Sequence, residues 1–211
     1  MSQNGEPADL KVRTFVNWLR RSIGSTAAIS ILLAACGLEQ SHGYVQSNDG
    51  SLSFRHPAEW QDVDLQPVGL EWIAGIDGSA TPDADNINAP LVESPFVVAQ
   101  VYQLEADVRD SASLRSLRLL SLAERPDPAE VEDPALRLVF DDIVVDENGF
   151  EGHHLRLEID SDDGTSVEEH FAVFDPDRSR VHRVWITCSL ACFMANAEAI
   201  DDVFGSVSLR P

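Results

Sequence analysis

The residue with the most specific chemistry in this sequence is Cys36, one of three cysteines. It follows Leu33-Ala34-Ala35 and ends an uncharged, mostly apolar run that begins at Ile23, and four basic residues precede that run. A basic segment, a short apolar segment and small residues, in that order, are typical of a signal peptide. A cysteine directly after the small residues is typical of a bacterial lipobox. We therefore predict cleavage between Ala35 and Cys36 and attachment of a diacylglycerol to the Cys36 thiol as a thioether.

The apolar run is too short for an ordinary membrane span, which needs ~20 apolar residues. The alternatives to a lipobox are an uncleaved signal anchor or a cysteine buried by chance. With two or more acyl chains, anchoring becomes stable. The sequence then divides into a signal peptide over 1–35, a lipidated cysteine with a polar tether over 36–43, and a globular domain over 44–211. A tether of this length has a reach of only ~15 Å, which would keep the domain close to the outer face of the cell membrane.

The other two cysteines, Cys188 and Cys192, lie four residues apart. In an exported chain, two remaining cysteines usually form a disulfide. The spacing differs from that of the redox motif with two intervening residues, and two cysteines without further ligands make a poor metal site. We predict a structural disulfide that stabilises the fold by ~2 kcal/mol.

The charge of the chain excludes one class of partner. The sequence has 36 acidic and 15 basic residues, and loss of 1–35 would leave a net charge of −23 in which every basic residue is arginine. Such a field repels nucleic acid and does not favour simple attraction to anionic lipid. We expect no nucleic-acid partner, and a solvated acidic surface is the simplest reading of the charge.

Enzyme motifs are lacking. The sequence has no Gly-x-Ser-x-Gly, no Ser-x-x-Lys and no phosphate-binding glycine loop, and no lysine follows Cys36. Mechanisms that need a lysine base or a Schiff base are therefore excluded for the mature chain. We predict a protein that is not an enzyme and has no cofactor.

Two weaker hypotheses concern side chains that lie apart in sequence. His154, His170 and His182 lie in predicted strands, and they would approach one another if these strands were neighbours in a suitable register; acids beside them would then suggest a hydrolase. No ligand spacing among them fits a known metal site, so we predict no metal. Acidic loops invite a calcium reading, but they lack the EF-hand pattern and turn chemistry explains them. The loop that could bind a cation loosely contains Asp83, Asp85, Asn86 and Asn88.

A group of arginines suggests a partner surface. The spacing of Leu114, Leu117 and Leu120 predicts a helix through about Glu124, with Asp110 as its N-terminal cap. Four arginines lie in or beside this helix, and an anionic polymer, headgroup or protein could use them. The alternative is a solvated helix face whose charges offset nearby acids. The four residues are Arg109, Arg115, Arg118 and Arg125.

The remaining pattern predicts an α+β domain. Apolar segments of strand length are separated by turn residues, which favours consecutive antiparallel strands with helices on the faces of the sheet. A second helix is predicted over Ala195–Val203. Strands are predicted over Leu52–His56, Val68–Ile76, Phe96–Leu104, Ile143–Val145, His154–Ile159, Ser166–Phe174 and Arg180–Cys188.

One stretch resembles a known family. Residues 50–60 combine an alternating strand, Pro57 and Trp60, and this order is similar to the opening "F-x-x-P-x-x-W" signature of the PsbP-like superfamily. The layout of lipobox, tether, this signature and a last helix followed by a "Ser-Val" strand resembles exported bacterial lipoproteins of the LpqN type. The resemblance spans 44–211 and implies an α/β/α sandwich. Its motifs are structural, so it carries over no functional residues.

Together these observations predict a non-enzymatic, lipid-anchored binding or accessory protein of a bacterial cell envelope. The expected partners are the membrane, through the lipid, and an envelope protein or glycolipid. Two alternatives stay open. A carrier of an apolar ligand requires a deep apolar cavity, and an envelope hydrolase requires acids beside histidines in a pocket.

Overall fold

A computed structural model describes residues 41–89, 91–122 and 133–211. The predicted lipobox and Arg125 lie outside the described residues. The first part of the domain contains β1 (His42–Gln46), β2 (Leu52–Pro57), β3 (Gln61–Val63), β4 (Trp72–Asp77), a 3₁₀ helix (Ala84–Asn88), β5 (Phe96–Gln103), α1 (Ala106–Ser111) and α2 (Leu114–Leu122). The second part contains β6 (Leu136–Val145), β7 (Glu151–Ser161), β8 (Gly164–Phe174), β9 (Arg180–Ser189), α3 (Leu190–Ala195), α4 (Ala197–Gly205) and β10 (Ser208–Leu209).

The strands form two antiparallel sheets. The large sheet has seven strands in the order β3-β4-β5-β9-β8-β7-β6, and the small sheet has the order β1-β2-β10. Four consecutive strands, β6 to β9, pair as neighbours, as expected for segments joined by tight turns. The predicted α+β class with an antiparallel sheet and flanking helices is confirmed.

The large sheet buries both faces. His154 is paired with Phe171, and Phe171 with Val184, so these three side chains share one face. The α3–α4 pair and the small sheet cover this face, which we call the α3–α4 face; its core includes Ile186, Phe193 and Ile200. On the opposite face, here the α2 face, Leu122 of α2 packs with Leu155 and Leu157.

The predicted first helix is wrong in its extent. Asp110 lies inside α1, and the chain leaves helical conformation at Ala112 before α2 begins. The cause is local, because the Ser116 amide donates to Ser113 Oγ at 3.2 Å while the Ser113 amide donates to Ser116 Oγ at 2.8 Å. This reciprocal pair caps a new helix in the manner of a capping box.

The C-terminal helix also differs from its prediction over Ala195–Val203. It begins earlier, as α3, where Ser189 Oγ accepts a hydrogen bond from the Cys192 amide at 3.2 Å. Asn196 then separates α3 from α4. The predicted disulfide between Cys188 and Cys192 is present, with Cα atoms 5.9 Å apart, and it ties the end of β9 to the first turn of α3.

Candidate functional site

A polar pocket of about 420 Å³ lies beside the turn between β1 and β2. This volume falls within the range of small-molecule sites, ~300–1,000 Å³. The walls come from three distant parts of the chain: the β1–β2 turn, the start of β9 and the segment after β10. The lining residues are Gln46, Ser47, Asn48, Asp49, Gly50, Ser51, Arg180, Arg210 and Pro211.

Asp49 shapes the turn. Gly50 has a φ of +74°, a left-handed conformation that favours glycine. The Asp49 carboxylate accepts hydrogen bonds from the Ser51 amide at 3.0 Å and from Ser47 Oγ at 2.8 Å. Burial alone would raise the pKa of Asp49, but these bonds and the charge of Arg180 hold the pKa well below its usual value. Asp49 is therefore a permanent anion and an acceptor.

Two arginines bring positive charge to an otherwise acidic domain. The Arg180 guanidinium donates to Asp49 Oδ2 at 2.6 Å and to Glu71 Oε1 at 2.8 Å. Arg210 is placed by the pairing of β10 with β2 and by its own amide, which donates to the Ser51 carbonyl at 2.9 Å. The positive charges of Arg180 and Arg210 thus balance the negative charges of Asp49 and Glu71, so the pocket offers both donors and acceptors with little net charge.

A chain of hydrogen bonds runs behind the pocket wall. Ser47 Oγ donates to Asp49, so its single proton is committed. Ser47 Oγ and Ser51 Oγ lie 3.3 Å apart, and since Ser47 gives its proton to Asp49, a hydrogen bond between the two serines would be donated by Ser51. His182 Nε2 lies 3.1 Å from Ser51 Oγ. If Ser51 donates to Ser47, it accepts from His182, whose ring proton is then on Nε2.

This direction matters because a serine beside a histidine suggests a nucleophile and its base. With Ser51 donating to Ser47, His182 donates to Ser51 and does not accept its proton. Burial lowers the pKa of His182, although Asp175 and Asp49 oppose that effect, so the ring is neutral. The amides of Gly50, Ser51 and Leu52 are already bonded within the turn, which leaves none of the three to stabilise an oxyanion.

The three histidines of the hydrolase hypothesis are not brought together. His154 Nε2 lies 2.6 Å from Glu169 on the α3–α4 face. His170 lies on the α2 face, 3.1 Å from Glu168. His182 contacts Ser51 beside the small sheet. The described part of the chain holds no group of three or more histidine, cysteine or acidic side chains arranged for a metal ion.

The pair of His154 with Glu169 belongs to a partly buried ionic cluster. Arg156 Nε also donates to Glu169, at 2.7 Å, and the Glu169 side chain is only 2% exposed. The Arg156 guanidinium stacks on Phe140 and Phe193, with its carbon 5.1 and 4.6 Å from the ring centroids. The cluster joins β7 and β8 to α3, so its role is structural.

The arginine group does not form one stripe. Arg109 belongs to α1, while Arg115 and Arg118 belong to α2. Arg118 turns towards the sheet, where its Nε lies 2.7 Å from Asp141, and its side chain is 15% exposed. The helix break places Arg109 on a different helix from Arg115 and Arg118, and the use of these residues by a partner stays a prediction.

The loop proposed as a loose cation site is organised by a buried carboxylate. Asp77 is fully buried and accepts hydrogen bonds from the Ser79 amide, the Asp83 amide, Asn86 Nδ2 and Ser94 Oγ. Asp83 caps the 3₁₀ helix through the Asp85 amide. The polar side chains Asp83 and Asn86 are thus engaged in holding the loop itself.

Asn48-Asp49-Gly50 is a turn signal in the sequence, but the sequence does not indicate the pocket beside it. The turn residues are a local signal. Arg180 and His182 lie 131 residues after Asp49 and Ser51, respectively, and no local pattern connects them. Only the pairing of strands and the packing of the two sheets show that these residues meet.

Among the described helices, none is long and apolar enough to cross a membrane. No family model matches the sequence. No curated protein shows significant sequence similarity either.

Several solved structures are similar to this chain. LpqN of Mycobacterium tuberculosis, described as involved in cell envelope biogenesis, is 13% identical with a TM-score of 0.51, covering 81% of this chain and 91% of LpqN. Cyanobacterial PsbP from Synechocystis is 13% identical with a TM-score of 0.49, covering 84% and 99%. The yeast Ran-binding protein Mog1p is 10% identical with a TM-score of 0.47, covering 80% and 95%. At such identities the likeness to LpqN shows a shared fold.

Proposed function

We propose that this chain is a lipid-anchored, extracytoplasmic binding or accessory protein of a bacterial cell envelope, and that it is not an enzyme. The observation that carries the proposal is the pocket beside the β1–β2 turn. The two serines of its wall and His182 behind them belong to a group of hydrogen-bonded side chains that ends on Asp49, whereas other lining side chains keep polar groups for a ligand.

The position of the pocket suits a protein held by a lipid on Cys36. β1 begins at His42, where the tether would join the domain, and ends at Gln46 on the pocket wall. An extended strand advances ~3.4 Å per residue, so the pocket lies roughly 14 Å from the point of attachment along β1. A domain anchored at His42 would present the pocket at the end of β1 that is remote from the lipid.

The chemistry of the pocket favours a polar, uncharged group on the partner. Gln46 and Asn48 each supply a carbonyl oxygen and amide protons, and Arg210 supplies donors. Within the described part of the chain, the Arg210 guanidinium has no hydrogen-bond or ion-pair partner. Of the partners considered, a hydroxyl-rich glycolipid headgroup or a polar protein loop fits these groups. An apolar ligand does not, and this weighs against the carrier alternative.

The anchor is tested by replacing Cys36 with alanine and growing cells with a radioactive fatty acid. We expect the label and the membrane association to be lost. Replacing Cys188 and Cys192 together by alanine is the matched control, since it removes the two cysteines of the folded domain, which form a disulfide, and should keep the label. Continued labelling of Cys36→Ala would contradict the lipobox.

The pocket is tested by photo-crosslinking in intact cells. A photoreactive amino acid at Asn48 should form a reproducible adduct, with a protein or a glycolipid, that mass spectrometry identifies. The same group at Met194, which is 72% exposed on α3, is the matched control and should not give that adduct. No adduct at Asn48, or the same adducts at both sites, would contradict binding at the pocket.

A further inference from the structure

The outer edge of β6 is an open strand edge on the large sheet. β6 has ten residues and stands last in the strand order, and no other strand of the described chain pairs with its outer side. A row of unpaired backbone amides and carbonyls is a template for another strand. Proteins that use this mode of recognition add an extended peptide to such an edge.

The hydrogen-bond pattern shows which residues face outward. The Asp146 amide donates to the Phe150 carbonyl at 3.1 Å, so Asp146 points its backbone groups towards β7. Backbone groups alternate along an antiparallel strand, which directs those of Ile143 and Val145 away from β7 and into solvent. A β-bulge between Leu138 and Phe140 interrupts the strand, so the regular part of the open edge is Asp141–Val145.

The side chains along this part are suited to a particular partner. On the α2 face, Ile143 is 53% exposed and Val145 is 68% exposed. On the α3–α4 face, Asp142 is exposed and has no hydrogen bond or ion pair within the described residues. An added strand would therefore place apolar side chains beside Ile143 and Val145 and a basic side chain beside Asp142. The net charge of the chain, −21, would attract such a basic strand over longer distances.

We propose that the Asp141–Val145 edge of β6 binds an extended segment of another protein whose side chains alternate between apolar and basic. This inference deepens the proposed function, since it names a surface through which an accessory protein would hold a protein partner. The two remain separable, because the pocket experiment uses Asn48 and the edge experiment uses β6.

The test uses the exported domain and a ten-residue, end-blocked peptide of alternating valine and lysine. We expect the peptide to bind, and the amides of Ile143 and Val145 to shift in NMR spectra and exchange more slowly with solvent. Two peptides serve as controls. Alternating valine and glutamate should bind on the order of tenfold more weakly or not at all, since Asp142 would repel it. N-methylation of alternate peptide amides should abolish binding, because it removes the donors that pair with the edge.

Two variants of the protein locate the interaction. Ile143→Pro removes an outward amide without touching the β7 ladder, and proline is tolerated at such edge positions. It should abolish binding, whereas Ile143→Thr should not. Asp142→Lys should weaken binding of the lysine peptide and strengthen binding of the glutamate peptide. Misfolding of the variant cannot produce this reversal.

Three outcomes would overturn the proposal. These are failure of the lysine peptide to bind the wild-type domain, equal binding of the peptide to Ile143→Pro, and binding with NMR shifts confined to other strands. Self-association of the wild-type domain that is lost in Ile143→Pro would assign the edge to a second copy of this chain instead. If adducts form at Asn48 in cells but the lysine peptide does not bind the β6 edge, the proposed function is supported and only this inference is contradicted.

Discussion

The two edges of the seven-stranded sheet are built in different ways. At one edge, β3 has only three residues, and its neighbour β4 ends at Asp77, whose buried carboxylate gathers four donors from the following loop. At the other edge, β6 has ten residues, and two ion pairs connect it to its neighbours: Arg137 with Glu158, in which Arg137 is exposed, and the largely buried pair of Arg118 with Asp141.

The difference indicates which side of the sheet contributes more to the free energy of unfolding and which edge is accessible to a partner. A short, polar edge strand is a common protection against unwanted pairing, and a buried, fully bonded carboxylate fixes the loop beside it. Exposed ion pairs contribute little, with a median of ~0–1 kcal/mol. We therefore expect the β3 side to be rigid and sensitive to mutation, and the β6 edge to tolerate change and to remain available for binding.

The largest effect is expected at Asp77. Asp77→Ala leaves buried donors of the loop without an acceptor and should lower the free energy of unfolding by about 3–5 kcal/mol, measured by urea denaturation. Asp83→Ala is the control from the same loop; it removes one exposed cap and should cost about 1 kcal/mol or less. Equal losses in the two variants would contradict the special role of the buried carboxylate.

A second large effect is expected at Glu169, a buried residue of β8 on the same side of the sheet as β6. Glu169→Gln weakens the bonds to His154 and Arg156 and should cost about 2–3 kcal/mol, because the lost charge is buried and hydrogen-bonded. Glu158→Gln removes a comparable charge from the pair with Arg137, whose side chain is 66% exposed, and should cost less than about 1 kcal/mol. Equal losses of unfolding free energy in Glu169→Gln and Glu158→Gln would show that burial does not strengthen the Glu169 contacts.

The disulfide lies at the end of the central strand β9 and should stabilise the strands on both sides of β9 to a similar extent. Replacing Cys188 and Cys192 by alanine should lower the free energy of unfolding by about 2 kcal/mol, since the bridge closes a short loop in the unfolded chain. Hydrogen exchange should then accelerate in β5 and in β8 to a similar degree. Faster exchange in only one of β5 and β8 would show that the bridge stabilises the sheet locally. Two free thiols in the unreduced, denatured domain would show that the bridge is absent.

Acid should destabilise both sides of the sheet through carboxylates whose pKa is lowered in the folded protein. Hydrogen bonds from Asn86, Ser79 and Asp83 outweigh burial and lower the pKa of Asp77, while His153 and Arg118 do the same for Asp141. A carboxylate whose folded pKa is lowered stabilises the protein above its unfolded pKa of 3.8, and that stabilisation is lost as the pH falls below it. Stability should therefore decline below about pH 4, and Asp77→Asn and Asp141→Asn should each flatten this decline. A decline that begins near pH 6 would point to histidines instead.

The smallest effect is expected on the open edge itself. Ile143→Thr changes a half-exposed side chain with outward backbone groups and should alter the free energy of unfolding by less than about 0.5 kcal/mol. Calorimetric melting is a suitable measurement, with Ile76→Thr on β4 as the control, because Ile76 is buried and should cost several times more. A large loss at Ile143 would mean that the edge is covered.

Local patterns predicted many of the elements. Alternating burial of Leu52, Phe54 and His56 makes β2 recognisable, and Pro57 ends it as expected. The cysteine pair is also readable, since an exported chain seldom leaves two cysteines unpaired. The extent of the first helix was not readable, because leucine spacing favoured continuity while the Ser113 and Ser116 side chains terminated one helix and began another.

The sequence by itself predicted the class of the domain, strands that correspond to β2 and β4–β9, and the turn at Asn48-Asp49-Gly50, but not β3. The lipid on Cys36 remains a prediction. These predictions depend on residues close in sequence, where spacing and side-chain type are sufficient. The tertiary structure alone decided that His154 and His170 lie on opposite faces, that Ser51 meets His182, and that β6 forms an open edge. The physical reason is that pocket and edge arise from strand order and sheet packing, which bring together residues more than a hundred positions apart.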